Sequence, residues 1–576
     1  MASSSMAFQF QVSCSLHNNY EHLKTAFSSA VKLQWLKVMP HHVSKTIKNA
    51  TTKTLDAIVD LAFEFVDIPL HPSQTNFAPV EELGGPAGIT TIQGIIPDDF
   101  PEGVYIRNGA NPLFGGLKST KSAFGKSKQI WIEGEGMLHA LYFTKKDGNC
   151  KWTVNYNNSY VETETFKQEK QKNKPSFIPI IEGDTLAVIS AALFNFLRFG
   201  KIDKHVSNTN VFEHSGKLYS IAESHMPQEI DVFTLETLGH WNLSRAWNRP
   251  FTSHPKVVPG TGELVIIGMD AIKRPYIELG VISADGKKLV HRADLKLDRC
   301  PFCHDFGVTQ RYNVLIDFPV TIDIMRLFQG GPLIKYDNKG YARIGVMPRY
   351  GDGDSIKWFK VEPNCTFHIF NCFEDGDDKV VVWGCRALES VLPFDNTVKD
   401  GLVHSRPYEW KLNMQTGEVV ERNLTADAEF SMEVPLINAN FIGLKNKFGY
   451  SQVFDFVPSS NADNMFKFGG LAKLHFEKLD KKVSSTTREI DEEVIKVEYH
   501  MFEENTFCSG AAFVPKKGGL EEDDGWIITF VHDEDTNISQ VYVIDTKKFS
   551  HEPIFKITLP CRVPYGFHGA FIPVSV

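Results

Sequence analysis

Arg562-Val563-Pro564-Tyr565-Gly566-Phe567-His568-Gly569 puts a histidine in an apolar, glycine-flanked turn almost at the end of a 576-residue chain. Three further histidines keep similar company upstream: His254 in Thr252-Ser253-His254-Pro255-Lys256, His304 in Cys303-His304-Asp305-Phe306, and His368 in Thr366-Phe367-His368-Ile369-Phe370-Asn371. Read as the ligands of one metal ion, they are 50, 64 and 200 residues apart, far beyond a zinc finger or a single helix. Each ligand must then come from a different supersecondary unit. That requirement favours a closed, repeated, all-β architecture with strands converging on an axis.

The rest of the chain agrees with a large all-β domain. From Gly94 onward short β-rich runs alternate with turn residues: Leu218-Tyr219-Ser220-Ile221, Leu264-Val265-Ile266-Ile267, Tyr276-Ile277-Glu278-Leu279, Val314-Leu315-Ile316, Val380-Val381-Val382-Trp383 and Trp526-Ile527-Ile528-Thr529-Phe530-Val531. Ala284-Asp285-Gly286-Lys287 and Met414-Gln415-Thr416-Gly417-Glu418 have the composition of hairpin turns between such runs. The lysine-rich, acidic stretch from Lys478 to Glu493 is expected as a solvated loop. Hydrophobic residues make up 42% of the chain, enough for a sizeable core. A net charge of −9 argues against nucleic acid as a partner, since a phosphate backbone selects a basic stripe. No run of some twenty apolar residues is present, so no membrane-spanning helix is expected. Nine thinly spread cysteines do not make a disulfide framework and suit a reducing compartment.

Several segments then fall into a recognisable order: Asn76-Phe77-Ala78-Pro79-Val80, Tyr105-Ile106-Arg107-Asn108-Gly109, Gly134-Glu135-Gly136-Met137-Leu138-His139, His254-Pro255-Lys256-Val257, His304-Asp305-Phe306, Pro348-Arg349-Tyr350, Phe367-His368, Thr529-Phe530-Val531-His532-Asp533 and Pro564-Tyr565-Gly566-Phe567-His568. In these segments the chain resembles the carotenoid cleavage dioxygenase (carotenoid oxygenase) family, and within it the plant enzymes of the 9,10(9′,10′)-cleaving type, as a divergent member. The resemblance implies a seven-bladed β-propeller over residues 76–576, with helical insertions capping one face. It also implies one iron(II) per chain on His254, His304, His368 and His568, dioxygen as co-substrate, and cleavage of a C=C bond of a hydrophobic polyene, a carotenoid or apocarotenoid, to two carbonyl products. His139 stands at a structural position of the family motif, and Glu374 at a supporting one.

Histidine alone does not choose the metal, because a neutral imidazole suits iron, zinc, copper and nickel. Four histidines on tetrahedral zinc would close the site, whereas an octahedral ferrous ion would keep two positions free. Ligating imidazoles need the second ring N–H held by an acceptor. By the resemblance Glu223 and Glu433 fill two of three such positions, and the third, before Phe513-Val514-Pro515, is occupied by Gly510. One histidine is therefore expected to lose its carboxylate unless water or a neighbour such as Glu504 substitutes. This departure motivates a non-catalytic apocarotenoid-binding propeller as one alternative; a stilbene-type alkene oxygenase of the same fold is the other. Cys300-Pro301-Phe302-Cys303-His304 also has the form of a haem-attachment or dithiol motif, but both need a local helix where the flanks read as strand.

The first twenty residues carry no acidic side chain and open Met-Ala-Ser-Ser-Ser-Met-Ala, which resembles a plastid transit peptide; a disordered tail and a cytoplasmic protein are the alternative. Residues 21–75 read as a basic helical extension. Leu23, Phe27, Ala30, Val31, Trp35 and Val38 recur at helical spacing among lysines, and Leu55 to Ile68 is expected as a second helix before Pro69. Such helices suit either an anionic membrane surface or packing on the domain. Leu186 to Phe199 is a third apolar segment, too short and too polar at Asn195 and Arg198 to span a bilayer. In the resembled family a helical insertion near here dips into the membrane beside a tunnel mouth.

Overall fold

The computed structural model describes residues 53–69, 76–145, 151–223, 225–243, 246–387, 405–426, 430–455, 465–481 and 493–573. Most of them lie in antiparallel strands joined to their sequence neighbours, so the chain builds one small sheet and then the next. The first sheet contains Gly103–Ala110, Gly136–Lys145 and Trp152–Tyr160. Four-stranded sheets follow over Asn210–His240, Lys256–Asp294, Gly307–Val361 and Ile369–Asn423. A nine-stranded sheet closes the series, and its two halves meet at the Phe468–Cys508 pair alone.

Strands that are apolar on both faces explain why the sheets stack rather than stand apart: each face left by one sheet is covered by the next. Val104, Ile106 and Leu138 of the first sheet share a core with Val211, Leu218 and Ile230 of the second. Tyr219 and Ile221 then meet Leu264 and Ile266, Val265 and Leu279 meet Val308 and Leu315, and Val314 and Ile344 meet Ile369 and Val382. Phe373 and Val381 pack on Val453 and Leu474, and Leu471 on Ile527 and Ile544. The series returns to its start where Ile528 and Val541 pack on Tyr105 and Leu141. Two long-range pairings hold this closure. The C-terminal strand Gly569–Pro573 adds to Gly103–Ala110, with Gly569 opposite Arg107, and Ile92–Gly94 adds to Phe555–Thr558.

The six runs and both hairpin turns expected from sequence are strands and turns in the structure, with Tyr276 one residue ahead of its strand. Two expectations need correction. The helix expected over Leu55 to Ile68 ends at residue 62, and Phe63–Asp67 is a strand paired with Lys118–Ser122. Phe63-Glu64-Phe65-Val66-Asp67 is rich in aromatic and β-branched side chains, a strand propensity that the search for a helical stripe overran. The solvated loop expected from Lys478 to Glu493 is strand at both ends, since Leu479 pairs with Ile495 and Lys481 with Glu493; residues 482–492 lie outside the described residues.

Helical residues 53–62 pack on the domain: Val59 and Phe63 join Ile178, Ile180, Val188 and Ala191. Asp56 clamps them by pairing with Lys172 at 2.7 Å and Arg198 at 2.7 Å. The apolar segment read at 186–199 is helix Thr185–Phe199, ended by Gly200 in the left-handed conformation. Asn195, polar but buried, accepts from Ile178 N–H and donates to Ile178 and Ile202 carbonyls, which fixes the chain on both sides of the helix. No described helix is long and apolar enough to cross a membrane. The basic helix expected over Leu23 to Val38 lies outside the described residues, as do the first twenty.

Candidate metal centre

Each of the four histidines sits just ahead of the first strand of a different sheet, or of the closing strand. His254 precedes Lys256–Val257, His304 precedes Gly307–Val308, His368 precedes Ile369–Glu374, and His568 precedes Gly569–Pro573. Strand starts that converge from separate sheets bring side chains to one point that local sequence could not. The Nε2 atoms of His254 and His304 are 3.1 Å apart, those of His304 and His368 3.1 Å, and those of His368 and His568 3.2 Å. All four ligand atoms lie within 4.8 Å of one another.

The donor set fits a divalent metal. At metal–nitrogen bonds of about 2.1 Å, ligands at right angles lie about 3.0 Å apart and tetrahedral ones about 3.4 Å; the spacings of 3.1, 3.1 and 3.2 Å between successive rings fall between the two. Two rings also have their far nitrogen held. Glu223 accepts from His304 Nδ1, and Glu433 from His368 Nδ1 at 2.7 Å, which fixes the tautomer with Nε2 free to donate its lone pair. Burial pulls His254 and His568 well below the usual imidazole range, helped by the neighbouring rings, and His368 to about 3. Three imidazoles are thus neutral at pH 7, as metal binding requires. Burial also acts on His304, but Glu223 outweighs it and holds the ring above its ordinary value. Glu433 is pushed up to about 8 by burial, so a cation at the nitrogens is what would keep it ionised beside neutral His368.

Backbone irregularities aim these groups. Glu433 opens strand Met432–Leu436 at a register shift, and Val434 after it has φ of 55°, a strained value for a β-branched residue. Val434 N–H donates to Glu433 Oε2 at 2.7 Å and Ser451 Oγ to the Glu433 carbonyl at 2.7 Å, which locks the carboxylate toward His368. Thr252 Oγ1 donates to the His304 carbonyl and accepts from His254 N–H, tying two histidine segments together.

Neither His568 nor His254 has a carboxylate on its remaining nitrogen among the described residues. Glu504, the substitute considered from sequence, is exposed and does not reach the centre. Gly510 has φ of 72°, and a Cβ there would come within 2.5 Å of Arg107 Cδ. Arg107 is fully buried, donates to Ser509 Oγ and the Pro564 carbonyl, and lies against Gly566, whose Cβ would be 2.6 Å from its Cζ. The methylene stem of Arg107 thus takes the room beside position 510, and its guanidinium holds the segment that carries His568.

The remaining sequence candidates are placed plainly. His139 is buried, and its Nδ1 lies 2.8 Å from the Tyr156 hydroxyl, away from the centre. Glu374 accepts from Thr309 and pairs with Arg311. Residues 300–306 contain no helix, and burial pushes the Cys300 thiol up to about 12 and Cys303 higher still, so the motif offers neither a haem anchor nor a reactive dithiol. Asp305, Thr252 and Arg107 were not singled out from sequence. The one available signal was an acid immediately after a histidine.

Residues 77–573 match the family described as retinal pigment epithelial membrane protein. Carotenoid 9,10(9′,10′)-cleavage dioxygenase 1 of Pisum sativum is 33% identical over 537 residues, covering 90% of this chain and 93% of that protein. Carotenoid 9,10(9′,10′)-cleavage dioxygenase of Crocus sativus is 31% identical over 546 residues, covering 92% of this chain and 94% of that one. The lignostilbene dioxygenase of Pseudomonas brassicacearum shares the fold, with a TM-score of 0.72 at 21% identity, covering 88% of this chain and 100% of that one.

Proposed function

This chain belongs to the retinal pigment epithelial membrane protein family of carotenoid oxygenases, and from that premise we propose an iron(II)-dependent dioxygenase that cleaves a C=C bond of a carotenoid or apocarotenoid, at the 9,10 and/or 9′,10′ position, into two carbonyl products. The observation that carries this reading is the meeting of His254, His304, His368 and His568 at one point. A seven-bladed β-propeller over 76–576 is supported by five of the separate sheets and the two halves of the nine-stranded one, each sharing a core with the next. Helix Thr185–Phe199 and its neighbours cap one face.

Iron(II) on the four imidazoles supplies a site where dioxygen is brought against an electron-rich double bond. The protein's own part is positional. Glu223 and Glu433 fix two rings so that their Nε2 lone pairs face the ion. Phe302 and Phe367 stand beside His304, with ring centres 6.2 and 5.5 Å from it, and offer an apolar bed that aligns a polyene and keeps water scarce. A lipid-dissolved substrate enters from a membrane surface on which the protein docks peripherally. Leu61, Leu186, Met325 and Phe328 are exposed on elements that pack together, and the lysine-rich stretch before Asp56 adds attraction to anionic lipid. The acid-free first twenty residues support import into a plastid.

The test is product analysis of the purified, iron-loaded protein with a panel of carotenoids, apocarotenoids and a stilbene, with and without oxygen. Labelled dioxygen is expected to enter the carbonyl products from carotenoid substrates, and His304→Ala to lose both iron and turnover. A His304→Ala protein that keeps both defeats the ligand assignment, and turnover of the stilbene alone moves the substrate class.

A further inference from the structure

Beneath the four histidines lies a carboxylate that touches none of them yet reaches the backbone or flanking side chain of three. Asp305 is buried at 4% exposure. Its Oδ1 pairs with Lys256 Nζ at 2.7 Å, two residues after His254, and accepts from Phe306 N–H at 2.8 Å. Its Oδ2 accepts from Ile369 N–H at 2.9 Å, the residue after His368. One side chain therefore fixes the segments of His254, His304 and His368 relative to one another. His568 stands outside this tie: its N–H donates to Thr209, and its carbonyl accepts from Asn108 N–H.

We propose that Asp305 is a positioning residue that makes His254, His304 and His368 one preformed part of the metal centre, to which the closing strand brings His568. The proposal rests on the four-histidine metal reading. Charge bookkeeping agrees with it: the Lys256–Asp305 pair is neutral, so Glu223 and Glu433 remain to balance a divalent cation in a buried site. Because both oxygens of Asp305 are used as acceptors, an amide cannot replace it; the Nδ2 of asparagine would face either an ammonium or an amide N–H.

Purified full-length protein is stripped of metal and titrated anaerobically with Co2+ alone, competing against a chelator, while the visible spectrum of the bound ion is recorded. Asp305→Asn is expected to lower affinity by about 10 to 100-fold, in the range seen when an outer support of a metal ligand is removed, and to shift the visible bands. Lys256→Met, which cuts only the His254 tie, gives a smaller loss, and Lys256→Arg restores wild-type behaviour. A purely architectural role would lower the melting temperature and leave affinity and spectrum untouched. Folded Asp305→Asn protein with affinity within about twofold of wild type and unchanged bands overturns the proposal. Where Asp305→Asn does not fold, Lys256→Met decides in the same way: weaker retention supports the tie, and unchanged retention ends it. Wild-type protein that binds no Co2+ sinks the metal reading and this proposal together, whereas retention by both wild type and variants sinks this proposal only.

Discussion

Position 510 holds glycine because its surroundings leave room for nothing else. With φ at 72° and Arg107 threaded past it, a side chain there meets both a strained backbone and the methylene stem of the arginine. Gly510→Glu is therefore expected to destabilise the fold, by about 1–3 kcal/mol for the backbone alone, rather than to supply His568 with a carboxylate; a lower melting temperature with no gain in metal content or turnover is the expected measurement. The two carboxylates that are present behave differently. Glu433→Gln is expected to reduce metal affinity and turnover by about 10 to 100-fold, read by metal analysis alongside product formation, because the neutral amide oxygen can still accept from His368 N–H but no longer brings the negative charge that raises the basicity of the ring. The four histidines were legible as candidates at this scale since each sits in a short distinctive context, and Glu223 and Glu433 only through the family resemblance. Asp305 and Arg107 were not, because a sequence shows that an acid or a base is present but not what it faces.

Among elements, the strands were easier to read than the N-terminal helix. A short apolar, β-branched run bounded by turn residues marks a strand, whereas the apolar positions from Leu55 to Ile68 continue a helical stripe past Phe63, where aromatic and β-branched residues begin. Pairing with Lys118–Ser122 settles the choice, and that partner lies some fifty residues away. Asp56 fastens the helical part. Burial raises its pKa, but Lys172 and Arg198 outweigh this and leave it below the ordinary carboxylate value. The stabilisation from that pair is present above the unfolded value of 3.8 and is lost as pH falls through the lower folded value. At neutral pH Asp56→Asn is expected to speed hydrogen exchange across residues 53–62 while leaving the metal centre unchanged.

At the scale of the molecule, the centre is completed only when the ring is. His568 stands one residue ahead of the strand that pairs with Gly103–Ala110, so the fourth imidazole arrives with closure. Truncation after Phe567 is expected to abolish metal retention and to broaden and lower thermal unfolding, since an open sheet edge and the exposed core around Tyr105 and Leu141 replace a closed contact. Removal of residues 1–52 is expected to spare melting temperature and metal content and to weaken flotation with anionic vesicles. The sequence by itself determined the class of fold and the candidate donors, through four histidines in apolar turns and short apolar runs between turn residues, and its resemblance to the carotenoid oxygenases implied the chemistry. Local composition carries that much because strand period and turn propensity act over a few residues. Only the tertiary structure decided which groups meet. The tie from Asp305 to three ligand segments, the Arg107 slot at Gly510 and the strained turn that aims Glu433 all depend on contacts between sheets, where separation along the chain says nothing about distance in space.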